Sequence, residues 1–266
     1  MMKILLALSV LLSSFAVTAR PAPDHAAWTR LLQAHVHWST DGHATQVDYA
    51  GFGAERAALS DYLRTLSAVP SADFDAWPLA ERQAFLINAY NAFTVELILS
   101  EYPDVDSIRD LGSWFRSPWK REFFNLLGAS RSLDEVEHEL LRGAADFAEP
   151  RIHFAVNCAS IGCPALRPEA YRGETLPLQL EDQTRRFLSD RSRNSVQQGT
   201  LRVSRLFDWY AEDFVVDGSS LAPPLAFLAL YADYLSHVPA EREAIVRGEL
   251  RLEFSDYDWS LNGVRP

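Results

Sequence analysis

Apolar side chains recur at helical spacing in two early segments. Trp28, Leu31, Leu32, His35 and Val36 form one stripe, with Asp24 placed as its N-cap, and Leu59, Tyr62, Leu63 and Leu66 form the next. Residues 46–49 between them read as a short strand. The segment 84–99 is different, being apolar almost all round and broken only by Asn88, Asn91, Thr94 and Glu96. Pro78 suits its first turn and Pro103 its end. A helix apolar on every face belongs in the middle of a core. Asn88 and Asn91 lie three apart, hence on one face, and buried amides need partners. The pair is expected to tie neighbouring loops to the helix, with the polar floor of a pocket as the alternative.

Further along, residues 123–127 read as a strand turned by Gly128. The S-x-x-E pattern from Ser132 to Glu135 is a capping box, predicting a helix to about residue 142. Residues 151–157 alternate, with Ile152, Phe154 and Val156 on one face and His153, Ala155 and Asn157 on the other, which predicts a strand. A helix over 176–188, a hairpin turning at Gly199 and a returning strand at 200–203 follow. Ser204 can cap a helix carrying Phe207, Tyr210 and Phe214; Pro223 and Pro224 open a last helix to about 235; Leu250, Leu252 and Phe254 fall at strand spacing. The pattern predicts an α+β fold, a helix-rich single domain packed on a small, mainly antiparallel sheet.

Residues 1–19 have the three parts of a secretory signal: Lys3, an apolar run over 4–17, and Val17 and Ala19 placed before a cut at Arg20. The run is shorter than the roughly 20 apolar residues of a spanning helix. The expectation is a signal peptide at 1–19 and one globular domain at 20–266, periplasmic or secreted, with no stable membrane span after cleavage. The charge of −11, one unit more negative once Lys3 is removed, opposes nucleic acid and anionic lipid as partners. No Gly-rich phosphate loop, H-E-x-x-H or G-x-S-x-G motif occurs, and neither a cofactor nor a metal is called.

Export places Cys158 and Cys163 where disulfides form and persist. A bridge between them, closing a very short loop, would stabilise by roughly 2 kcal/mol. The sharper alternative makes Cys158 a nucleophile, Cys163 its resolving partner and His153 its base, although a continuing strand would point 153 and 158 to opposite faces. A metal held by His153, Cys158, Cys163 and either Glu137 or His138 fits the spacing of zinc motifs poorly. Glu137 projects into the apolar stripe of its helix, where a carboxylate must be paired or neutralised. It is expected to pair with Arg142 or Arg151, or to orient His153 or His138. The arginines 185, 186, 191 and 193 read as a solvated face, His35 as a core histidine, and Trp114 and Phe115 as core or as the lining of a groove.

Taken together, AFLINAYN at 84–91, SLDEVEH at 132–138, RIHFAVNC at 151–158 with Cys163-Pro164, SRLFDWY at 204–210 with Asp213-Phe214, and YDWSLN at 257–262 resemble an uncharacterised bacterial domain family. Related domains occur in plant leucine-zipper ternary complex factor proteins. The resemblance implies one domain, often exported, with the 153–163 stretch as a hallmark, and no settled catalytic residues. The chain order, a buried helix followed by a segment bearing a His, is also analogous to papain-like and transglutaminase-like thiol enzymes, whose nucleophile sits at the start of that helix; here that helix offers Gln83, Asn88 and Asn91. Two functions follow as expectations. The first is a disulfide-stabilised binding or envelope-associated module for a small-molecule, peptide or envelope partner, with Asn88, Asn91, Asn157 and His138 as binding candidates. The second is a thiol-dependent hydrolase or transferase acting on peptide or amide-type substrates. It would use Cys158 as nucleophile, His153 as base, Glu137 as orienting carboxylate, and Asn88 or Asn157 at the oxyanion.

Overall fold

A computed structural model describes residues 20–113, 116–143 and 147–264; residues 1–19, where a signal peptide is expected, and the pair Trp114 and Phe115 lie outside them. The chain begins with α1 (Ala26–His35), which stops one residue short of the predicted stripe because Val36 opens β1 (Val36–Trp38), paired antiparallel with β2 (Thr45–Val47). Three helices follow: α2 (Tyr49–Ala54), α3 (Arg56–Ser67) and α4 (Ser71–Asp75). They pack around α5 (Leu79–Leu99), of which sixteen consecutive or near-consecutive residues from Gln83 to Leu99 are buried. Each large apolar side chain buried there contributes about 1.5–3 kcal/mol, which overrides the weak amphipathicity of this segment. A hairpin, β3 (Phe124–Leu126) and β4 (Ala129–Arg131), leads into α6 (Leu133–Glu135).

After α7 (Leu176–Ser189), the hairpin β5 (Ser195–Gln197) and β6 (Thr200–Val203) forms as predicted. Then come α8 (Leu206–Trp209), α9 (Leu225–Leu230), α10 (Ala232–Leu235), α11 (Pro239–Val246) and β7 (Arg251–Phe254). The last strand runs parallel to β6, and the four intervening helices make the long crossover that a parallel pair requires. The fold is α+β, with strands in three small sheets rather than one and mostly antiparallel pairing.

Four local expectations change. The predicted strand at 151–157 is instead a 3-10 turn at Pro150–Phe154. Pro150 presets its first turn and the Glu149 carboxylate accepts the Arg151 N–H at 3.1 Å. Both faces of this segment are buried, so its alternation did not separate core from solvent. The helix from Ser132 becomes a π-helix at Val136–Leu141 after its first turn, and the last predicted helix is two short ones with α11 added beyond. Arg193, placed on a solvated face, is half-buried and bonds Asp190 and the Ile161 carbonyl.

Two apolar clusters meet at this 3-10 turn. Ile152, Ala155 and Val156 belong to the cluster around α5, and Phe154 to the one holding Phe187, Phe207, Phe214 and Phe227. Among the described residues no helix is long and apolar enough to cross a membrane.

Candidate functional site

A cavity of about 330 Å³ opens where these two clusters meet. Its lining brings together Glu137, His138, His153, Cys158 and Cys163, which lie up to 26 positions apart in sequence, and adds an aromatic wall of Trp119, Trp209, Tyr210, Tyr257 and Trp259. Concave sites lined mainly by aromatic groups with a few convergent polar ones are the usual form of small-ligand pockets.

The capping box at Ser132 is fully formed: the Glu135 N–H donates to the Ser132 hydroxyl at 3.2 Å and the Ser132 N–H to the Glu135 carboxylate at 2.7 Å. It fixes where the helix starts. The π-helix that follows, closed by the Arg142 N–H donating to the Glu137 carbonyl at 3.0 Å, widens the turn carrying Glu137 and His138. Such π segments occur often at functional sites. Glu137 is 7% exposed, and its Oε1 accepts from the Tyr210 hydroxyl at 2.7 Å. It pairs with neither Arg142 nor Arg151. The former guanidinium holds Asp213 through bonds of 2.6 and 3.1 Å, and the latter holds Glu149 and Glu181. Burial, and then the Glu137 charge, push the Tyr210 hydroxyl well above the ordinary tyrosine range, so it stays a proton donor.

His153 is buried and is oriented not by Glu137 but by Asp213, whose Oδ2 accepts from Nε2 at 2.6 Å. That carboxylate accepts only, so Nε2 carries the proton of this bond. The ring stacks on Tyr210 with centroids 4.1 Å apart. Burial raises the Asp213 pKa, but hydrogen bonds from His153 and Arg142 and their charges outweigh it and hold the carboxyl well below the ordinary range. Arg142 also donates to His138 Nδ1 at 2.8 Å and lies over the Tyr210 ring. One network thus joins His138, Arg142, Asp213 and His153. Sequence reasoning missed Asp213 and Tyr210 as polar partners. Tyr210 read as packing beside Phe207 and Phe214; its spacing of three from Asp213, across a short turn, was the available signal.

Cys158 and Cys163 are bonded to each other, with Cα atoms 6.1 Å apart. The half-buried Cys158 Sγ lies 3.2 Å from the Ser160 hydroxyl and 3.3 Å from that of Tyr257. Cys163, 5% exposed, accepts from the Cys158 N–H at 2.8 Å and from the Tyr257 hydroxyl at 3.2 Å. The C-terminal segment is bound along this loop, with Ile161 N–H donating to the Ser260 carbonyl and Gly162 N–H to that of Asp258, both at 2.8 Å. Gly162 permits the approach: a Cβ there would lie 2.9 Å from the Tyr257 ring. Because residues 150–154 form a turn, the strand-parity objection to His153 and Cys158 sharing a cavity does not apply.

The asparagines act behind the cavity. Asn91 Oδ1 accepts the Asn157 N–H at 2.8 Å and its Nδ2 donates to the Ala155 carbonyl at 3.0 Å. Asn88 clasps Tyr171 in the same two-bond way, at 2.9 and 2.8 Å. Asn157 donates to the Pro164 carbonyl at 2.7 Å and accepts from Ala159 N–H at 2.9 Å. These amides tie loops to α5, and none of the three lines the cavity.

No curated protein matches the chain, and no solved structure does. One family profile matches, over residues 74–188. That stretch holds α5, the π-helix, His153 and both cysteines, while Tyr210, Asp213 and Tyr257 complete the cavity from beyond it. Over residues 74–188 the chain is similar to an uncharacterised domain family, described as a protein of unknown function, DUF547.

Proposed function

We propose that this chain is an exported single-domain binding module whose cavity takes a small ligand bearing a cationic amino group. Glu137 carries the reading: it is buried, faces the aromatic cavity, and among the described residues no ion pair reaches it. A buried carboxylate without an ion pair is costly, and the Tyr210 and Tyr90 hydroxyls with the nearby Arg142 charge compensate for only part of its lost hydration. An ammonium group would complete it, and the faces of Trp119, Trp209 and Trp259 favour a cation. The volume of about 330 Å³ suits a small molecule rather than a polymer. Tryptophan fluorescence titrations with choline, lysine amide and glucosamine, each against its neutral counterpart, test the reading. Saturable binding of an amine that is lost in Glu137→Gln supports it; equal binding of the neutral counterparts refutes it.

Export is supported by the signal pattern at 1–19 and by a disulfide suited to an oxidising compartment. A mature N-terminus at Arg20 is the expected result of sequencing the exported protein, and retention of Met1 would refute it. The Asp213–His153 contact favours a second reading for the reduced chain, a thiol-dependent hydrolase with Cys158 as nucleophile and His153 as base. Asp213, rather than Glu137, would then be the orienting carboxylate. Turnover of a peptide anilide that requires reductant and vanishes in Cys158→Ser would support it; no turnover by the reduced protein would refute it.

A further inference from the structure

We propose that the Cys158–Cys163 bond is a thiol–disulfide exchange site for a small thiol entering the aromatic cavity, with Cys158 the sulfur attacked and Cys163 the sulfur that leaves. This does not rest on the amine-binding reading. A purely structural bridge is expected behind packed side chains, whereas both of these cysteines line the cavity wall. The two cysteines are also unequal. Cys158 is the more exposed, and the sulfur open to attack is the one an incoming thiolate meets first. Cys163 is buried but alone receives a backbone donor, the Cys158 N–H at 2.8 Å, while the Tyr257 hydroxyl lies between the sulfurs, 3.2 Å from Cys163 and 3.3 Å from Cys158. Donors held on a sulfur stabilise it as a thiolate and so make it the better leaving group. Burial, opposed by the Ser160 hydrogen bond and the Arg193 charge, keeps the Tyr257 hydroxyl above the ordinary range and hence protonated. Cys163 also borders a second cavity of about 400 Å³, shared with Ser160, Arg193 and Asn262, which gives the departing sulfur room to move.

In the first step a thiolate RS⁻ bonds to Cys158 Sγ, the S–S bond breaks, and its electron pair departs on Cys163 Sγ. In the second, another RS⁻ attacks the R sulfur of the mixed disulfide, forming RSSR and releasing Cys158 as thiolate. Two thiols are oxidised to one disulfide, the protein bond is reduced to two cysteines, and the two protons from the thiols pass to them.

The test treats the oxidised mature protein with glutathione, quenches with iodoacetamide and follows intact mass and peptide maps over time. Reduction in the folded state is expected at a rate unaffected by low urea, with glutathione trapped on Cys158. In Tyr257→Phe the rate should fall roughly two- to tenfold, the effect of one lost hydrogen bond at the leaving sulfur. A bond reduced only as fast as the protein unfolds overturns the proposal, as does glutathione trapped on Cys163 or an unchanged rate in a folded Tyr257→Phe protein. Should that variant fail to fold, the urea dependence and trapping site in the unaltered protein decide the matter alone.

Discussion

Replacing Asn91 with alanine isolates the link between the central helix and the cavity loop. Asn91 is 2% exposed and makes two bonds to the segment leading into Cys158. The alanine variant leaves the Asn157 N–H and the Ala155 carbonyl without these partners, in residues that are 3% and 0% exposed. Each such orphaned group costs about 1–3 kcal/mol, so the variant should lose roughly 2–6 kcal/mol, with a central value of about 4. For a domain of this size that central value corresponds to a fall in Tm of roughly 8–16 °C. Urea unfolding and scanning calorimetry on the mature oxidised protein measure it directly. Asn88→Ala, which frees Tyr171 instead, should cost a similar amount. Only the Asn91 variant should also speed reduction of the disulfide by glutathione. A Tm loss under about 2 °C in Asn91→Ala, or equal acceleration of reduction in both variants, would refute the view that this amide holds the cavity loop in place.

Three further outcomes follow from the same geometry. Asp213 has its pKa depressed in the fold, so its contribution is complete above the ordinary carboxylate pKa of about 4 and is lost as pH falls towards its native value; Asp213→Asn should therefore flatten the acid limb of a stability-against-pH curve, and an unchanged limb would contradict the assignment. Gly162→Ala places a methyl group 2.9 Å from the Tyr257 ring, and should destabilise by about 1–3 kcal/mol in denaturant melts while shifting tyrosine and disulfide circular dichroism in the near ultraviolet. Tyr210→Phe removes the donor at 2.7 Å from Glu137 and should cost about 1–3 kcal/mol, with Glu137→Gln largely restoring the loss in the double variant because a neutral amide is cheaper to leave underpaired.

Much of the site was legible one residue at a time. The helical period put Glu137 inside an apolar stripe, and it is buried; the all-round apolar pattern of 84–99 made the central helix, with Asn88 and Asn91 on one face. One charge and one hydroxyl were harder to read. Asp213 sits on the far side of a turn from Tyr210, and both meet their partners from 60 to 73 positions away. A local pattern reports which residues are buried, because burial follows period, but not which distant partner satisfies a buried polar group. The segment 151–157 failed for a related reason: alternation implies a strand only when one face sees solvent, and here both are enclosed.

Local chemistry in the sequence, then, was enough for the α+β class, the central helix, the capping box at Ser132 and the placing of two cysteines on a loop closed tightly enough to bond. These depend on period, capping and separation, all of which act over a few residues. Tertiary structure alone decided that Asp213 rather than Glu137 holds His153, that Tyr210 takes Glu137, and that Tyr257 comes back along the chain to reach both sulfurs. Those contacts join segments brought together only when two apolar clusters close on the 3-10 turn at Pro150–Phe154. The two cysteines become, in the folded chain, a single bond in a cavity wall with a backbone donor held on Cys163.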